Sequence, residues 1–145
     1  MVNPDIQGKR YPRTAPYLVG REKVREFGRA VYASPASLDL EVAKSQGHSD
    51  LVAPPTFPVV IQEQSLALVI NDPEAKLDFS RVVHGEQRFV YQRPVLAGDL
   101  LTSELSVASV KTLAGNHMVT FETEIFDASN QLVCTAISTL VVRGE

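Results

Sequence analysis

The sequence predicts an α+β fold in which one long buried helix is followed by antiparallel strands that wrap around it. Three observations carry this expectation. After Pro58, a stretch holding Val59, Val60, Ile61, Leu66, Ala67, Leu68, Val69 and Ile70 meets no Gly or Pro until Asp72-Pro73 and is apolar on most sides, as a buried helix is. From Val82 onward the apolar period changes to two, the signature of half-buried strands. Turn residues then recur at short intervals, so four successive long strands connect tightly and form a meander.

Size and composition agree. A chain of 145 residues can bury about two-thirds of its extended surface, enough for one core and a single domain over residues 1–145. Apolar residues make up 44% and charged residues 21%, which excludes a disordered, collagen-like or disulfide-scaffold chain. Fourteen Lys and Arg against seventeen Asp and Glu give a net charge of -3, and no basic run exceeds two residues. Nucleic acid needs a concentrated basic face and is not an expected partner. The longest apolar run, Leu66 to Ile70, is too short to cross a bilayer, so no membrane partner is expected. Met1 to Arg13 carries Asn, Pro, Asp, Gln and Lys where a signal peptide would be apolar, so the expected location is cytoplasmic.

The elements follow in order. Pro4, Pro12 and Pro16 make the first twenty residues an extended arm with short strand pieces and no helix, ended by Gly20. From Arg21 to Tyr32, Val24, Phe27 and Val31 recur three and four apart among charged residues, an amphipathic helix that Ser34, Pro35, Ala36 and Ser37 break. Ser37 can cap a second helix, Leu38 to Gln46, with Asp39 and Glu41 favoured by the dipole of its first turn and Gly47 ending it. His48 to Pro55 is a polar, proline-bearing loop before the long helix. In the next segment Val83, Gly85, Gln87, Phe89 and Tyr91 share one face, and Val82, His84, Glu86, Arg88 and Val90 the other. Pro94 with Gly98-Asp99 supplies a turn; Leu101, Leu105 and Val107 then alternate with Thr102, Glu104 and Ser106. Gly115-Asn116 makes the next turn, Val119, Phe121, Thr123 and Ile125 form the next inward set, and a last strand runs from Gln131 to Arg143 after Ser129-Asn130. The single Cys134 cannot form an intrachain disulfide, and in the alternation Leu132, Cys134, Ala136 it reads as a small core residue.

The order of these pieces resembles the MaoC-like hot-dog family, and more closely the N-terminal-type, non-catalytic half of actinobacterial (3R)-hydroxyacyl thioester dehydratases. The resemblance rests on Asp5-Ile6-Gln7-Gly8-Lys9-Arg10-Tyr11 in the arm and Gly20-Arg21-Glu22-Lys23-Val24-Arg25-Glu26-Phe27 in the first helix. It continues in Leu51-Val52-Ala53-Pro54-Pro55-Thr56-Phe57, His84-Gly85-Glu86-Gln87-Arg88-Phe89 and Arg93-Pro94-Val95-Leu96-Ala97-Gly98-Asp99. It implies a hot-dog fold with a long central helix wrapped by the sheet, dimers joined sheet edge to edge, and reversible hydration of trans-2-enoyl thioesters of coenzyme A or acyl carrier protein. It implies no metal and no organic cofactor. In that reaction an Asp and a His hold and deprotonate the water that attacks C3, and a backbone N–H stabilises the thioester oxygen.

The family's motif Gly-Asp-x-Asn-Pro-x-His falls on Val31-Tyr32-Ala33-Ser34-Pro35-Ala36-Ser37 when Pro35 is aligned with its proline. Tyr32 then stands in place of the catalytic Asp and Ser37 in place of the catalytic His. With a tyrosine pKa near 10, neither replacement is a useful base at neutral pH, so no catalytic residue is expected here. The implied role is a substrate-binding subunit of an (R)-specific hydratase or dehydratase in fatty-acid metabolism, partnered by an Asp/His-bearing MaoC-like subunit. Alternatives are a self-sufficient homodimer using another acid or base, such as His48 or His84, and an acyl-thioester-binding module without chemistry.

The expected substrate-binding residues are Pro54, Pro55, Thr56 and Phe57, where a helix N-terminus presents N–H groups, and His48, which shares its loop with Asp50. Each has a plainer reading: a rigid helix start for the first four, a solvated His-x-Asp pair for His48. Tyr32 is read as a packing residue, or as a plug or hydrogen-bond donor in the vacated pocket. Ser37 is read as a helix cap, His84 as a solvent-side residue of its strand and His117 as a turn residue.

Overall fold

The computed structural model describes residues 1–144. Its elements are β1 (Tyr17–Leu18), α1 (Arg21–Ala30), α2 (Leu40–Ser45), α3 (Val59–Ile70), β2 (Val82–Tyr91), β3 (Leu100–Leu113), β4 (Asn116–Phe126) and β5 (Leu132–Val142). They form one antiparallel sheet in the order β1-β3-β4-β5-β2, with α3 packed on β3 and β4. Among the described residues, no helix is long and apolar enough to cross a membrane.

The long helix has the expected bounds, and Ile61, Leu66 and Val69 are buried on the sheet. Each such side chain contributes roughly 1.5–3 kcal/mol through burial. The helix is not enclosed on every side, however. Gln62 and Ser65 face inward while Leu68 is 38% exposed. Gln62 donates to Ser138 Oγ (2.9 Å) and accepts from Gln87 Nε2 (2.9 Å), and Ser65 bonds Ser103. This polar seam crosses a core otherwise made of two apolar clusters.

The strands correct the expected meander. β3, β4 and β5 follow one another as hairpins, but β2 pairs with β5 and not with β3. The segment holding Pro94 and Gly98-Asp99 is therefore a crossover from one side of the sheet to the other. It does not close as a hairpin because Val95 and Ala97 are buried and stitched to another loop: Ala53 N–H donates to Val95 O (2.8 Å) and Ala97 N–H to Leu51 O (2.9 Å). Within β2 a bulge between His84 and Glu86 breaks the single alternation. Val82 packs on the core and Val83 is 47% exposed, whereas beyond the bulge Gln87, Phe89 and Tyr91 face inward as expected. Gly85 allows this close approach, since a Cβ there would lie 3.2 Å from Thr139 O.

The helices are shorter than their patterns suggested. α1 ends at Ala30 because Tyr32 adopts φ 54; Ala33 N–H then bonds Gly28 O (2.9 Å) and Tyr32 N–H bonds Arg29 O, a Schellman ending. α2 begins at Leu40, and its cap is Asp39, whose carboxylate accepts from Glu41 N–H (2.8 Å). Ser37 is not the cap; it lies in a single 3-10 turn, Pro35–Ser37, before the helix starts. The arm also contains one 3-10 turn, Pro4–Ile6, where no helix was expected. Otherwise it runs extended along β3, with Tyr11 N–H on Leu105 O (2.8 Å) and Gly8 N–H on Val107 O (2.8 Å).

Candidate functional site

Three segments converge beside the start of α3: residues 33–37 after α1, residues 52–55 before α3, and residues 91–94 after β2. The middle segment is held from both sides. Val52 N–H donates to Ala36 O (3.1 Å) and Ser37 Oγ donates to Val52 O (2.6 Å), while Leu51 and Ala53 are bonded to the crossover. α1 packs against the end of the first segment and the residue after it at Gly28, where a Cβ would sit 3.2 Å from Leu38 Cδ2 and 3.4 Å from Ser37 Cβ. The third segment is anchored by Arg93, whose guanidinium donates to Asp99 (2.8 and 3.1 Å) and reaches Asp127. Hydrogen bonding and charge from Asp99 raise the Arg93 pKa further.

Between these segments lies a cavity of about 460 Å³. That is the size of a small-molecule site, for which ~300–1,000 Å³ is usual. Its walls are mainly Pro54, Pro55, Pro94, Val52, Ala53 and Ala33. Its polar side chains are largely engaged with the protein: Ser37 with Val52, Arg93 with its aspartates, and the Tyr91 hydroxyl with Pro55 O (2.7 Å). Burial, and then the nearby Cys134, push the Tyr91 phenol pKa up, so it stays protonated. Neutral Ser34 and Gln92 complete the lining, and no carboxylate or imidazole lines this cavity among the described residues. Such a chamber can hold an apolar chain; it has no group suited to moving a proton at neutral pH.

The residues singled out from sequence divide. Pro54, Pro55 and Ser37 line the cavity, whereas Thr56, Phe57 and His48 do not. Thr56 is exposed, and Phe57 is fully buried edge-on against Phe27, with centroids 5.3 Å apart. The first amides of α3 are not free as expected. Val59 and Val60 N–H donate to Thr56 O and Phe57 O, and Ile61 and Gln62 N–H to Pro58 O, because the preceding turn winds directly into the helix. His48 has no link to Asp50: that carboxylate is paired with Arg21 (2.9 Å), which holds its pKa below the usual range. Tyr32 neither packs nor plugs the pocket, for its side chain stands 96% exposed on the left-handed turn. His84 is exposed on β2 and His117 lies on β4, bonded to Thr112.

Tyr91, Gln92 and Arg93 are lining residues that the sequence did not single out. Alternation along Gln87, Phe89 and Tyr91 does place Tyr91 inward at a strand end. Its meeting with Pro55, 36 positions earlier, is a tertiary event with no local signal.

The family model described as FAS1-like, dehydratase domain region, matches residues 6–136. A UPF0336 protein of Leifsonia xyli subsp. xyli is 59% identical over 145 residues, covering 99% of this chain and 97% of the relative. Among solved structures, a chain of the C-terminally truncated HadBC (3R-hydroxyacyl-ACP dehydratase) complex of Mycobacterium tuberculosis is similar with a TM-score of 0.82 at 35% identity. That match covers 94% of this chain and 97% of the other. A MaoC-like dehydratase gives a TM-score of 0.84 at 31% identity, covering 95% of this chain and 42% of the longer one.

Proposed function

The chain belongs to the MaoC-like hot-dog dehydratase family, and from that premise we propose that it is the substrate-binding subunit of an (R)-specific enoyl-thioester hydratase or (3R)-hydroxyacyl-thioester dehydratase. It acts as a single hot-dog domain over residues 1–145, in cytoplasmic fatty-acid metabolism. The observation that carries this reading is the cavity at the degenerate motif. Ser37 is committed to Val52, Tyr32 points to solvent, and among the described residues no acid or imidazole lines the space. The acyl chain of a coenzyme A or acyl-carrier-protein thioester lies against Pro54 and Pro55, while a partner supplies the Asp and His that activate water at C3.

Two further features support a hot-dog partner. Among the described residues β2 is bonded only to β5, and on this open edge strand Val83 and Val90 are 47% and 48% exposed. The HadBC relative is itself a complex. The test is hydration of trans-2-enoyl-CoA by the chain alone, by a MaoC-like protein with an intact Asp-x-Asn-Pro-x-His string, and by the two co-expressed. The chain alone is expected at background, and the pair is expected to exceed the partner alone on longer acyl groups. Turnover by the isolated chain, abolished by changing His48 or His84, would establish a self-sufficient enzyme instead. Thioester binding without activity alongside any partner would establish a binding module.

A further inference from the structure

Tyr91 stands between two apolar regions. One side of its ring faces the cavity, and the other packs on the buried cluster that includes Phe57, Cys134 and Ala136. Strand register sets it opposite Cys134, and Phe89 supports it with ring centroids 6.5 Å apart. The rest of the wall has little freedom to lengthen the chamber. Pro54, Pro55 and Pro94 have fixed φ, and Arg93 is tied to two aspartates. Tyr91 is instead a large side chain whose outer end is held by one hydrogen bond, from its hydroxyl to Pro55 O at 2.7 Å.

We infer that Tyr91 is the wall between the cavity and the buried cluster behind it and sets the length of acyl chain the cavity accepts, with the hydrogen bond to the Pro55 carbonyl as the latch. This rests on the acyl-thioester reading above. The test uses the full chain, both alone and paired with a MaoC-like partner. Affinities of octanoyl-, dodecanoyl- and hexadecanoyl-CoA are measured by calorimetry for the wild type, Tyr91→Phe and Tyr91→Ala. In the wild type, affinity rises with length and then levels off where the chain meets the ring. In Tyr91→Ala it continues to rise past that point by about fourfold per added methylene, the equivalent of ~0.8 kcal/mol per buried CH₂. Tyr91→Phe keeps the ring but lacks the latch; it binds octanoyl-CoA as the wild type does and hexadecanoyl-CoA about fivefold tighter, the equivalent of one neutral hydrogen bond of ~1 kcal/mol. Should Tyr91→Ala fail to fold, as judged by circular dichroism, Tyr91→Phe decides alone. Length profiles that match the wild type in the folded variants overturn the gate and leave the acyl-thioester reading standing. A wild type that binds none of the three probes, alone or paired with the partner, overturns that reading itself.

Discussion

Tyr32 holds an aromatic side chain in solvent on a left-handed backbone, a conformation that costs a non-glycine residue about 1–2 kcal/mol. Because the ring is 96% exposed, removing it sacrifices no packing. Tyr32→Gly is therefore expected to stabilise the fold by about 1 kcal/mol and raise Tm by about 3 °C in thermal unfolding. A lowered Tm would mean that the ring makes a contact that sustains the fold. Once Pro35 is aligned with the family's proline, the Tyr and Ser at positions 32 and 37 are legible in the string itself, since they depend on residue identity alone. The directions taken by the replacements were not: Ser37 turns in to Val52 because the 52–55 segment passes beside it, while Tyr32 is thrown outward by the helix ending.

Along α3 the bounds could be read from the sequence, because no breaker interrupts the apolar run and Asp72-Pro73 follows it. Its inward face could not. A helix apolar nearly all round selects no face by periodicity, and the sheet chose the one bearing Gln62 and Ser65, where Ser138, Gln87 and Ser103 could satisfy them. Gln62→Leu removes the hub of that seam and leaves the buried Ser138 hydroxyl without its donor, while Gln87 keeps its bond to Ile137 O. The expected cost is about 2 kcal/mol, seen as a lower urea midpoint at unchanged slope. A midpoint equal to the wild type's would show that the seam is replaceable by apolar packing. On β2 the two-residue period was correct from Gln87 onward and failed before Gly85, because a bulge reverses the face without altering composition.

At the scale of the molecule, the arm is clipped across the core to the end of α3. Lys9 and the Tyr11 hydroxyl both donate to Asp72 Oδ2 at 2.7 Å, and Lys9 also pairs with Glu74. Hydrogen bonds from Lys9 first and Tyr11 second bring the Asp72 pKa down from 3.8 to about 2. The folded pKa lies below the unfolded one, so the fold favours the charged carboxylate. This contribution is complete above the unfolded value and is lost as pH falls from about 3.8 through about 2. Asp72→Asn is expected to flatten the fall of Tm over that window and to leave its shape above about pH 5 unchanged. A Tm profile with the same acid limb as the wild type would place the acid sensitivity elsewhere. The arm also covers the outer side of β3, so the sheet's remaining uncovered long edge is β2.

Local pattern alone determined the long helix and its extent, the four long strands, and the inward sets of β3 and β4. These depend on residue identity and on periods shorter than one element. Tertiary structure decided the placing of β2 beside β5, the buried polar seam and the meeting of residues 33–37, 52–55 and 91–94 around one cavity. Those outcomes depend on which distant backbone groups satisfy one another, as Ala53 does with Val95 and Tyr91 with Pro55. A hydrogen bond across tens of residues leaves no periodic trace in the chain that makes it.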